Sequence, residues 1–168
     1  MLASWGNQLP GETMAWRTII ALGFTAAIAL TATAANAGDY RIVSFDKDLM
    51  FAVDLGSISR KGEHLQAAYL TVFKPAERTD SGVYNYTVVV ADFDCAAHNY
   101  RHIALAGFSA THQEVFSDMG AAEWLPAEPA STMSLVFEAV CTPSQLPDDI
   151  YNSSMEELAE RFLALEDE

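Results

Sequence analysis

The run VYNYTVVVADFDC, residues 83–95, constrains the fold of this chain more than any other stretch. It alternates for long enough to be a strand, and it ends on one of two cysteines. With a period of two, Thr87, Val89, Ala91, Phe93 and Cys95 share one face, and Val88, Val90, Asp92 and Asp94 share the other. The aspartates mark the second face as solvated near the strand end, so Cys95 is expected to point with Phe93 into the core. Three chemistries compete for that cysteine: a structural bridge, a reactive thiol, or a metal ligand beside His98.

Compartment bears on the choice. From Met14 the chain runs through Arg17, then an apolar stretch, then Ala35-Asn36-Ala37 before Gly38. That order of charge, apolar core and small-residue site is that of an export signal, with Met14 as the expected start and cleavage expected after Ala37. Threonines and Asn36 dilute the apolar core below the roughly 20 residues of a membrane span. Residues 1–37 are therefore expected to be an extension and signal peptide, and the mature chain to start at Gly38 with no membrane span. Its expected location is periplasmic or secreted, where disulfides persist.

Both cysteines, Cys95 and Cys141, fall in the mature part and read most simply as one bridge. A reactive thiol wants neighbouring positive charge, whereas Cys95 follows Asp92 and Asp94. For a metal, His98 and His102 on a strand would stand roughly 13 Å apart. They are expected to be ordinary surface or edge histidines, and His64 and His112 have no ligand pattern around them. No metal, cofactor or catalytic residue is assigned.

Strands dominate the region from Tyr40 to Cys141. YRIVSF, MFAVDL, LQAAYLTVF, the run at 83–95 and NYRHIALAGFSA are joined by short turn-rich links, KPAERTDSG among them, which favours antiparallel pairing. In STMSLVFEAVC the apolar residues fall at helical spacing behind Ser131 as N-cap, with a strand as the alternative because of its β-branched content. Ser154 and Glu157 form a capping box for a last helix whose stripe is Met155, Leu158, Phe162 and Leu165. That stripe is expected to fold back onto the sheet, the alternative being docking on a partner. The residues thus give a set of antiparallel strands, a helix or strand before the second cysteine, and a C-terminal amphipathic helix after an acidic linker within 142–168.

The formal net charge is −14, and half of it lies after Cys141, where eight acidic side chains face Arg161 alone. Nucleic acid and anionic lipid select clustered Lys and Arg, so neither is an expected partner. No nucleophile elbow, zinc-protease helix, phosphate loop or dinucleotide fingerprint occurs. Ser57, Ser59 and Ser109 have no evident His or Asp partners.

Four pieces in order, FAVDLGSISRKG, DFDCAAHNYR, WLPAEPAS and FEAVC, resemble the surface-adhesin protein E family over residues 40–141. The resemblance implies an α+β fold class, with a small curved antiparallel sheet, a helix before the second cysteine and a Cys95–Cys141 bridge, to which the residues add the C-terminal amphipathic helix. It also implies binding of extracellular-matrix protein, and haem binding has been associated with the named member. The chain departs from the family at Tyr40, where Trp is usual. It also has no lipid-bearing cysteine after the expected cleavage site, and its acidic tail lies beyond the match. The expected function is a non-enzymatic binding module for an envelope or extracellular protein. The alternatives are a subunit of a cell-envelope assembly, or an enzyme built on the pair Asp92 and Asp94.

Overall fold

The structure, a computed structural model, describes residues 37–120, 123–143 and 150–165. The expected signal peptide and the Met14 start lie outside the described residues. Six strands run as an antiparallel meander: β1 (Gly38–Phe45), β2 (Leu49–Lys61), β3 (His64–Thr79), β4 (Gly82–Asp94), β5 (Asn99–Phe108) and β6 (Glu114–Met119). The short β7 (Leu125–Pro126) pairs with β5 beyond the end of β6. Helix α1 (Thr132–Cys141) follows, then β8 (Ile150–Ser153) and helix α2 (Met155–Leu163). The chain is α+β as expected, but the sheet dominates it.

Strands β2, β3 and β4 run longer than their apolar cores because the turns between them are tight. Gly62, at φ 64°, closes the β2–β3 hairpin in the left-handed region that glycine enters without strain. KPAERTDSG, expected as a connection, instead carries β3 on to Thr79, and Glu77, Arg78 and Thr79 pair with Tyr84, Val83 and Gly82. The reason is local: a bulge between Val72 and Glu77 absorbs Pro75, which has no N–H to give the ladder.

Each face of the sheet is covered by one helix. Val53, Ala67, Tyr69, Val89, Ala91 and Phe93 pack against Val136, Phe137, Ala139 and Val140 of α1. STMSLVFEAVC forms the expected helix and not the strand alternative, and Ser131 caps it by accepting from the Ser134 N–H. On the other face Tyr40, Met50, Ala52, Leu70, Val72 and Tyr86 pack against Leu158, Ala159 and Phe162 of α2. The tail helix therefore docks within the chain, capped by Ser154 at the Glu157 N–H. Leu165, the last residue of its expected stripe, is 50 % exposed.

Ahead of α2, the segment expected as linker contains β8. Gly38, Asp39, Tyr40 and Arg41 pair with Ser153, Asn152, Tyr151 and Ile150, which makes β8 the seventh strand in the sheet order beyond β1. Arg41 is buried and donates from Nη1 to the Pro143 carbonyl at 2.8 Å, tying β1 to the chain just after α1.

Candidate functional site

Cys95 and Cys141 form a disulfide with their Cα atoms 5.7 Å apart. Cys95 does not point inward as expected. The strand ends at Asp94, and Cys95 sits exposed in the turn that follows, while Cys141 packs against the α1-side core. The bridge thus pins the end of α1 to the rim of the sheet.

The two aspartates before it are held separately. Asp94 Oδ1 accepts from the Ala96 and Ala97 N–H groups and so organises the turn. Asp92 is 5 % exposed, against the expectation of a solvated position. What makes its burial tolerable is pairing: Arg101 donates from Nε and Nη2 to its Oδ2 at 3.1 and 2.8 Å, and Gln66 donates to its Oδ1 at 3.0 Å. The register explains the meeting, since Gln66 lies opposite Asp92 and Asp92 opposite Arg101. Both carboxylates of the proposed catalytic pair are thereby engaged in structure.

The remaining expected candidates are dispersed. His98, at φ 60°, sets its ring edge-on against Phe137 at 4.2 Å. His102 is half-buried rather than superficial, 2.9 Å from the Tyr69 hydroxyl. Burial holds its pKa below the ordinary histidine value, and the direction of its bond with the Tyr69 hydroxyl follows the ring tautomer. His112 links the Tyr86 hydroxyl (3.0 Å) to Glu160 on α2 (2.8 Å). Ser57 donates to the Asp54 carbonyl and accepts from the Ala68 N–H, and Ser109 organises the loop before β6. Among the described residues no group of three or more His, Cys, Asp or Glu side chains is placed to hold a metal ion.

An open depression of about 520 Å³ lies beside the end of α2, lined by Asp48, Phe73, Lys74, Asn85 and Leu163 among others. Its one ammonium is already engaged: Lys74 bonds the Leu165 carbonyl and lies over the Phe162 ring.

A better-built surface lies on the α2 side of the sheet, beyond the reach of the helix. The row Ala68, Val90, Ala104 crosses β3, β4 and β5 to Met119 on β6, which is 72 % exposed. Next to it runs the polar row Gln66, Asp92, Arg101. Trp124, in the stretch leading into β7, lies against both Arg101 and His64, with its ring 4.7 Å from the guanidinium carbon and 4.8 Å from the imidazole centroid. A floor of small side chains is thus flanked by a bulky thioether and by an indole held on a fixed guanidinium. Arg101 cannot swing away without leaving Asp92 buried and less fully paired.

Sequence reasoning assigned no role to Gln66, Arg101 or Trp124. The signal was present in the quoted pieces, since Asp92, Arg101 and Trp124 stand in DFDCAAHNYR and WLPAEPAS. What was lacking was the register that joins them.

The fold is thus a small α+β domain: a disulfide-pinned antiparallel sheet with a helix on each face and an aromatic–guanidinium rim. The chain belongs to the surface-adhesin protein E family, whose pattern it matches over residues 40–142. Comparison with curated proteins and with solved structures gave no match.

Proposed function

We propose that this chain is an exported, non-enzymatic protein-recognition module, processed after Ala37 and acting in the periplasm or outside the cell. Its ligand-facing surface is the uncovered end of the sheet around Trp124, Arg101, Ala68, Val90, Ala104 and Met119. One observation carries the reading: α2 covers only part of its face, and the remainder is a small-residue floor with rigid aromatic and cationic flanks. Indole and guanidinium groups held in place before binding are the kind that dominate protein interfaces, because little side-chain entropy is lost when they are covered.

Family membership supports an extracellular or surface ligand, and the disulfide supports an oxidising compartment. The net charge of −14 supports a protein partner with a basic surface over nucleic acid or anionic lipid. The alternative of an envelope-assembly subunit loses its docking element, since the apolar stripe of α2 is spent within the chain. The carboxylate-enzyme alternative loses its pair, since Asp92 and Asp94 each have structural partners.

The test is capture from matrix and envelope fractions with the oxidised protein as bait, beside Trp124→Ala and a Glu138→Ala control on α1. Retention of the same ligand by wild type and control, with loss of about tenfold or more in affinity for Trp124→Ala, is the expected result. Equal capture by all three would place the ligand elsewhere.

A further inference from the structure

The start of β1 meets an unusual set of groups. A β-carbon built on Gly38 would lie 3.5 Å from Asp54 Oδ1 and 2.9 Å from Cε2 of the Tyr40 ring. Asp54 is half-buried, accepts from the Gly56 and Ser57 N–H groups at Oδ1, and among the described residues has no Lys or Arg partner. Burial holds its carboxyl above the usual range, and Asp39 adds to the effect. The Tyr40 hydroxyl is pushed up to about 12 by burial, then by Asp54 and Glu156. Directly opposite Gly38 in the ladder stands Ser153, 2 % exposed, whose Oγ is buried without a hydrogen-bond partner. Opposed residues of an antiparallel pair present their side chains to the same face, so this hydroxyl faces the place where a Gly38 side chain would be.

Carboxylates with no cation beside them among the described residues, next to an orphaned hydroxyl, are costly unless a donor arrives. We propose that the donor is the α-ammonium of Gly38 itself, created when the signal segment is removed, and that Asp54, Ser153 and Tyr40 form a socket for it. The proposal rests on the cleavage site in the functional reading above. Cleavage hydrolyses the Ala37–Gly38 peptide bond: water supplies the hydroxyl to Ala37, and the Gly38 nitrogen leaves as an amine that protonates. While that bond exists, the nitrogen is an amide with one donor and no charge. Once free, it turns about the Gly38 Cα–C bond along an arc that includes the empty β-carbon position. A turn toward that point brings three N–H donors toward the Asp54 carboxylate and the face on which Ser153 Oγ lies. Glycine suits this position for a steric reason, because a β-carbon would displace the Tyr40 ring.

Maturation would then convert an uncompensated carboxylate into an ion pair that fastens β1 to β2 and β8. The processed protein would be tighter than its precursor at the strand where the two differ.

The experiment uses protein secreted and processed in the cell, with its N-terminus fixed by intact mass. Wild type is compared with Asp54→Asn and with a chain carrying one extra alanine inserted before Gly38. NMR titration of the Gly38 α-amine should place its pKa at least about one unit above the ordinary range of about 7.7–8.0, with return to that range in Asp54→Asn. Melting at pH 7 supplies a second reading. Asp54→Asn should lower the melting temperature when Gly38 is the first residue and raise it in the chain with the inserted alanine. An ordinary amine pKa in wild type that Asp54→Asn leaves unmoved overturns the proposal while the cleavage reading stands. A natural terminus other than Gly38 overturns both.

Discussion

Arg101 shows how a single side chain can hold both the fold and the site. Its guanidinium satisfies a buried carboxylate on one side and supports the Trp124 ring on the other. Arg101→Ala should destabilise the domain by about 1–3 kcal/mol, since it leaves Asp92 buried with Gln66 as its remaining side-chain donor. Its side chain is 31 % exposed, which keeps the expected loss below that of a fully buried pair. Chemical denaturation checks the figure, and Trp124 fluorescence should shift in the same variant while the fold persists. Arg101→Lys should recover part of the stability but not the flat platform, because an ammonium is a point charge.

His102 makes a pH prediction with a definite sign. Its folded pKa lies below its unfolded value of about 6.5 because burial disfavours the imidazolium, so the unfolded state binds more protons between the two. Stability is therefore lost as pH falls below about 6.5. His102→Gln should flatten that acid limb in melting curves taken from pH 7 to 5.

At the scale of elements, α2 and the disulfide are the two fastenings of the sheet. Phe162 is 2 % exposed, meets Phe45 edge-on at 5.5 Å and lies under the Lys74 ammonium. Phe162→Ala should cost about 3–5 kcal/mol. Thermal melting and uptake of a hydrophobic dye would report it, because the α2-side core opens. Replacing Cys95 and Cys141 together by serine removes a cross-link spanning 46 residues, worth up to about 4 kcal/mol in the chain-entropy view. The oxidised protein should show no thiol to alkylating reagent until it is reduced.

Elements were legible in proportion to how local their causes are. Ser154, Glu157 and the stripe of Leu158 and Phe162 announce α2, since capping and helical spacing are short-range. The period of two in residues 83–95 announces β4 and the face that packs on α1. Strand β8 was not legible: IYNS is too short to alternate informatively, and it pairs with a strand some 113 residues earlier. Asp92 was misplaced for a related reason. Alternation assigns a face, but whether that face is wet depends on register, here the placement of Gln66 and Arg101 beside it. The exposed position of Cys95 turns on the strand stopping at Asp94, where its side chain captures the Ala96 and Ala97 amides.

At the scale of the whole molecule, the two helices divide the faces unequally. Helix α1 serves the core, whereas α2 leaves part of its face uncovered, with Trp124 and Met119 beside it. The candidate site was legible only as motif pieces, because its parts come from β3, β4, β5 and the approach to β7, and only the folded register brings them together. We propose that a partner binds at this uncovered end. That proposal is tested most directly by placing a photo-crosslinking amino acid at Met119 and, separately, at Leu135 on α1, in protein expressed in its own cells. A discrete adduct with a partner protein is expected from position 119 and none from 135. Adducts from 135 alone, or equal labelling from both, would contradict it.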